Sequence, residues 1–204
     1  MSRTRKIADT AILIAIGIVL NLATLPSIDY LGRISFVYSF CYLAGIFLGP
    51  VFGMLAAVLA DILAFLILPS GPFVWQITAT NGIMALVTGL CYKFLKWKIK
   101  ETRIIPAAVF SFIFLTLGLS AWGEAVTLFD IFPYTLAKSL GRSLNLSSPY
   151  LMIAAAKAIT QPFWIIVNII ISIVVLRRVS YSQKQFTSSM EVLRAEVEGS
   201  KKES

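Results

Sequence analysis

The 204-residue sequence contains no histidine. Without imidazole it lacks the side chain whose ordinary charge change falls near neutral pH, which argues against imidazole catalysis and against most transition-metal sites. Its two cysteines, Cys41 and Cys91, both sit in apolar runs and read as buried free thiols. There is no GxxxxGK[ST] phosphate loop, so the chain does not itself hydrolyse ATP through one, and HExxH, CxxC and GxSxG are also missing. No pair of carboxylates falls at helical spacing inside an apolar run. No metal and no resident cofactor is expected. Charge is itself scarce: 14% of residues are charged, against about 25% in an ordinary soluble domain.

What the chain has instead is apolar surface, with 58% hydrophobic residues and a mean hydropathy of +0.84. That leaves too little polar surface to cover a water-soluble globule. The expected fold class is an all-α integral membrane protein. A crossing needs about 20 apolar residues, so the length accommodates five or six spans and no separate soluble domain. The first apolar run follows a basic MSRTRK with no small-residue cleavage pattern after it, and reads as a retained helix.

Six spans are predicted. They run over Ile7–Leu25, closed by Pro26; Phe36–Leu48, closed by Gly49-Pro50; Val51–Leu68, closed by PSGP; Phe73–Leu95; Ile104–Ala121; and Pro149–Leu176. A polar loop with Asp29, Gly32 and Arg33 separates the first two, and a mixed outer segment, Trp122–Ser148, precedes the last. The net charge of +8 is distributed unevenly. Arg3, Arg5 and Lys6, the loop with Lys93, Lys96, Lys98, Lys100 and Arg103, and the tail from Arg177 all fall on one side. Cytoplasmic loops carry the excess of Lys and Arg, so both termini are predicted cytoplasmic, and the charge needs no nucleic-acid partner. Residues 1–178 form the membrane domain, and 179–204 a cytoplasmic tail. In the tail Phe186, Met190, Leu193 and Val197 share a helical face and Ser188 and Glu191 match a capping box, so a short surface helix competes with a partly disordered tail. No internal repeat supports two inverted halves.

The polar residues kept inside this apolar chain are the informative ones. Asp61, mid-way along the third span, reads either as part of a polar site or as a structural tie to a neighbouring helix, the second being the stronger reading. Ala11 and Ala15, with Ala8 three residues earlier, make a small-xxx-small face against which another helix can pack closely, inside the molecule or in a partner. At the outer ends stand Arg33, then Trp75, Gln76, Thr78, Thr80 and Asn81 opening the fourth span, then Trp122 and Glu124 after the fifth. Lys157, Gln161, Trp164 and Asn168 step by four, three and four along the last span, placing a cation, an amide, an indole and a second amide on one face. An aromatic belt with a snorkelling lysine is the plainer account. It fits Trp164 poorly, well below a surface set by Pro149, and a ligand-lining face is the better reading. Indoles, amides and cations together suit a planar heteroaromatic head with a carboxylate tail.

Arg33-Ile-Ser-Phe36, the stretch LAGIFLGPVFGMLAAVLADILAFLILP from Leu43 to Pro69, the Ala11-xxx-Ala15 face after a basic start, and Lys157 with Gln161-Pro162 resemble the substrate-binding S component of energy-coupling-factor (ECF) vitamin transporters, and among these the folate-type branch. The similarity covers most of the six spans. It implies a six-helix subunit in a prokaryotic plasma membrane that binds one vitamin, folate or a reduced folate, near the outer face. It implies a transmembrane coupling protein and two cytoplasmic ATPases as partners, with Ala8, Ala11 and Ala15 at the coupling contact. Arg33, Trp75, Gln76, Asn81, Trp122, Lys157, Gln161, Trp164 and Asn168 are the expected ligand residues. Two departures lie at the ligand end: Gly71-Pro-Phe-Val-Trp-Gln76 replaces the branch's Phe-x-Pro-Gly-Phe turn, and Lys157 stands where an arginine is expected. An S component for another vitamin or precursor, such as pantothenate or a pyrimidine, a small membrane enzyme, and a partner subunit without ligand remain the alternatives.

Overall fold

A computed structural model of the chain describes residues 3–23, 25–28, 32–34, 36–69, 72–95, 101–131 and 134–203; for 3–6, 9, 25–28, 32–34, 101 and 180–203 it describes the backbone alone. Helix α1 spans Arg3–Leu22. It is followed by two short antiparallel strands, β1 (Leu25–Ile28) and β2 (Gly32–Ile34), with Leu25 opposite Ile34 and Ile28 opposite Gly32. This short hairpin is an addition to the expected all-α architecture, which the remaining described elements follow. Pro26, expected to close the first span, instead lies in β1, beyond the end of α1 at Leu22, in a two-stranded hairpin where both strands are edges and a proline is tolerated.

Helix α2 (Val37–Leu48) turns directly into α3 (Pro50–Ile67). Gly49 makes the turn at φ +83°, a left-handed value that a glycine adopts without Cβ strain, and Pro50 starts α3 where its absent N–H costs nothing. Helix α4 covers Trp75–Phe94. After a 3₁₀ turn at Glu101–Arg103, α5 runs over Ile104–Thr127. The amphipathic α6 (Thr135–Ser143) and the long α7 (Pro149–Glu203) complete the chain.

The boundaries of α2, α3 and α4 fall within two residues of those read from hydropathy. The fifth helix is longer than expected, ending at Thr127, not Ala121, and so takes Trp122 and Glu124 into the helix. Its middle, Ser111–Ser120, is wound as a π-helix. Bonds from i to i+5 bring residues four and five apart onto one face, and the buried positions there are Ser111, Leu115, Thr116 and Ser120. The last helix continues unbroken into the tail, through Glu203.

Among the described residues, three helices are long and apolar enough to cross a membrane: Pro50–Ile67, Ile104–Thr127 and the Pro149–Val179 part of α7. Thr10–Leu22 and Val37–Leu48 are shorter apolar helices. Large apolar side chains such as Ile12, Val19, Phe52, Leu66, Phe114, Phe163 and Ile170 face outward. A surface of that kind is covered by lipid, and this is a helical membrane protein.

The core is built around small residues. Ala44, Ala56, Ala57, Ala60 and Ala85 are fully buried where α2, α3 and α4 meet, beside Phe40, Tyr42 and Met84. A Cβ at Gly45 would lie 2.2 Å from the carbonyl oxygen of Ala85, and one at Gly89 would lie 2.7 Å from Cα of Pro50. The backbones themselves are in contact, which is how helices associate where lipid supplies no hydrophobic drive. A second cluster of Ala121, Ala137 and Ile153 joins the end of α5 to α6 and α7.

Gly89→Val must push two backbones apart, so it should cost at least about 3 kcal/mol, the upper end for overpacking. Gly118→Ala, whose Cβ meets nothing within 4 Å, should leave the melting temperature in detergent unchanged. Equal melting of both variants would contradict the close approach.

Candidate functional site

The polar side chains of this bundle fall into two sets. The first holds helices together. Asp61 of α3 accepts hydrogen bonds from the Thr78 hydroxyl and from Asn81 Nδ2 (3.0 Å), both on α4. Its carboxylate therefore ties α3 to α4, as the structural reading held. Asn81, an expected ligand residue, is buried with its amide turned to this carboxylate. Asn168 of α7, also an expected ligand residue, is fully buried against α2: its Oδ1 accepts from the Ser39 N–H (2.9 Å) and Ser39 hydroxyl (2.7 Å), and its Nδ2 donates to the Trp164 carbonyl (2.8 Å). An asparagine in apolar surroundings needs this many partners, and here they come from the protein.

The second set gathers where the first turn of α4 meets the end of α5 and the start of α7. Trp75 and Trp122 stand edge to face, ring centroids 6.3 Å apart, both about half exposed. Gln76, next to Trp75, is buried and lies flat on Gly123, next to Trp122. A Cβ at position 123 would come within 2.6 Å of Gln76 Cβ, so the carboxamide has its place because residue 123 is glycine. The carboxamide oxygen of Gln76 has no hydrogen-bond partner. One residue further along α5, Glu124 pairs with Lys157 of α7 at 2.8 Å. The same ammonium donates to Ser120 Oγ at 2.8 Å, and Tyr134 approaches the other Glu124 oxygen at 3.5 Å. Tyr134 opens α6 with φ +38°, a conformation rare for a residue with a bulky side chain.

Of the residues expected from sequence, Trp75, Gln76, Trp122 and Lys157 are therefore brought together, while Asn81 and Asn168 face other helices. Gln161 and Trp164 are half-buried on α7, with the Trp164 ring edge-on to Phe163 at 5.0 Å. Arg33 lies in β2, a strand packed beside α7, and its side chain falls outside the described residues. Ala8, Ala11 and Ala15 all lie uncovered on one side of α1, among exposed Ile12, Ile16 and Val19, whereas Gly17 faces inward onto Phe40 and Ala60. Sequence reasoning did not single out Ser120, Gly123 or Tyr134, or the pairing of Lys157 with Glu124. The available signal was that Ser120 and Glu124 are four apart and that Glu124 is the acid near the end of the apolar run preceding the one that carries Lys157.

Both side chains of the Glu124–Lys157 pair are less than one-fifth exposed. Removing one partner from a buried pair strands the other charge, at about 3 kcal/mol or more, whereas replacing both by apolar residues is near neutral. Glu124→Ala is therefore expected to lower the melting temperature sharply, and Glu124→Leu with Lys157→Met to recover most of the loss. A neutral single substitution would show that the pair carries no such weight.

Residues 5–179 match the family model for "ECF transporter, substrate-specific component". No curated protein sequence matches the chain.

Proposed function

The chain belongs to the family of ECF transporter substrate-specific components, and from that premise we propose that it captures folate or a reduced folate at the outer face of a prokaryotic plasma membrane. Membership makes it a substrate-binding subunit of a transporter rather than an enzyme, and members of this family work with coupling and ATPase subunits. The finer reading is six spans with both termini cytoplasmic, residues 1–178 as the membrane domain and 179–204 as its cytoplasmic tail. Orientation is supported by the Lys and Arg excess at the termini and in the 93–103 loop. A transmembrane coupling protein docks on the uncovered Ala8, Ala11 and Ala15 side of α1, and two cytoplasmic ATPases drive release of the vitamin inside.

The observation that carries the vitamin reading is the cluster at Trp75, Gln76 and Trp122. Two half-exposed indoles flank a buried carboxamide whose oxygen lacks a partner. That arrangement suits a flat heteroaromatic ring with a polar edge. In this reading Arg33 meets a carboxylate of the ligand, while Gln161 and Trp164 extend the lining along α7. A second reading, an S component for another vitamin or precursor such as pantothenate or a pyrimidine, draws on one fact: Lys157 already has Glu124 as its counter-ion, which leaves less positive charge for folate's carboxylates.

Calorimetric titration of the purified chain in detergent with folate, 5-formyl-tetrahydrofolate, pantothenate and a pyrimidine vitamin precursor tests this directly. Saturable binding of a folate is expected, and Arg33→Ala should weaken it by about 1.5–3 kcal/mol, the range for a hydrogen bond to a charged group. Binding of pantothenate or the pyrimidine alone would move the chain to the second reading.

A further inference from the structure

In a bundle surrounded by lipid, a buried polar atom without a partner is expensive, and most here are matched. Among the described residues the buried side-chain atoms without a hydrogen bond include the hydroxyls of Tyr42, Ser111 and Thr116 and the Oε1 of Gln76. The serine and threonine hydroxyls have an easy remedy, since a rotation brings them to a carbonyl one turn back in their own helix. Gln76 has none. Its oxygen accepts only, it sits 4% exposed in the first turn of α4, and the wall it lies on is the bare backbone of Gly123. Turning the amide over exchanges an unmatched acceptor for an unmatched donor.

A carboxamide presents an acceptor and a donor side by side. Its complement is a lactam edge, a ring N–H next to a ring C=O, which closes two parallel hydrogen bonds with it. The neighbouring indoles of Trp75 and Trp122, 6.3 Å apart, supply the apolar surface that such a ring needs. We propose that Gln76 is the specificity-determining residue of the site, reading the lactam edge of a heteroaromatic ring, and that Gly123 is the positioning residue that makes room for its carboxamide. This deepens the folate reading and rests on it, because the pterin ring of folate carries such an edge.

The test compares folate with its 2,4-diamino analogue, in which the ring C=O is replaced by an amino group. Both are titrated into the purified full chain in detergent. The wild-type carboxamide serves either edge by turning over, so the two should bind within about tenfold of each other. Gln76→Glu turns the group into an acceptor alone. It repels the C=O of folate, which can answer a carboxylate only by shifting to its neutral N3–H and 2-amino edge, whereas the diamino compound can offer a charge-assisted pair from its protonated N1–H and 2-amino group, so the affinity ratio should shift at least about tenfold toward the diamino compound. Gln76→Met keeps the bulk without the polar atoms and should weaken both ligands by at least about tenfold. Gly123→Ala should weaken both without changing their ratio. Melting curves establish that each variant is folded; should Gln76→Glu fail to fold, the Met and Ala variants decide.

If the wild-type chain binds folate and Gln76→Glu leaves the ratio within about threefold, or Gln76→Met leaves folate binding intact, the proposal is overturned while the folate reading stands. If the wild-type chain binds neither compound, the folate reading fails. The proposal then survives only if the vitamin that does bind carries a lactam or amidine edge and loses affinity in Gln76→Met.

Discussion

Lipid offers no hydrogen bonds, and that single constraint organises this molecule. A polar side chain drawn into the bundle is costly unless it finds a partner within the chain or a ligand supplies one. Asp61 is answered by Thr78 and Asn81, Asn168 by Ser39, and Lys157 by Glu124 and Ser120. Each pairing joins two different helices. The polar residues are therefore the clasps of a bundle whose apolar surfaces, facing lipid and facing each other, have little reason to prefer one arrangement. Glycine and alanine then let the clasped helices come close enough for van der Waals contact to hold them.

This economy also marks the site. Once the clasps are accounted for, Gln76 stands out as a buried carboxamide whose oxygen has nothing to accept, at the place where two indoles are half exposed. The π-wound stretch of α5 contributes to the same end of the molecule. By bringing positions four and five apart to the inner face, it delivers Ser120 inward just before Gly123 and Glu124. The segment after α5 then packs α6 against α7, and Tyr134, in a strained backbone conformation, brings its hydroxyl to Glu124.

Much of this was legible in the sequence. Runs of apolar residues punctuated by Gly49-Pro50 and PSGP located α2, α3 and α4 closely, because a helix boundary is set by local chemistry. Asp61 was read as a tie because a lone acid in lipid must be met. The motif around Arg33–Pro69 pointed to the transport family that the match over residues 5–179 establishes. What local chemistry does not encode is partner identity. The stripe of Lys157, Gln161, Trp164 and Asn168 is real as a helical face, yet its two ends serve different neighbours: Lys157 meets α5 and Asn168 meets α2. The π-helix was invisible because Ser111–Ser120 is apolar nearly all round, so no periodicity reports its winding. The β-hairpin was hidden by Pro26, which reads as a stop whether helix or strand follows.

In the proposed binding mode the ligand enters between Trp75 and Trp122 against Gln76. Tryptophan emission, followed while folate is titrated into the purified chain, tests it most directly. A saturable change in emission is expected in the wild-type chain and in Trp164→Phe, and a change several-fold smaller in the double variant Trp75→Phe/Trp122→Phe, where only Trp164 is left to report from the site. A change undiminished in the double variant, or one that disappears in Trp164→Phe alone, would place the ligand elsewhere in the bundle and contradict this placement.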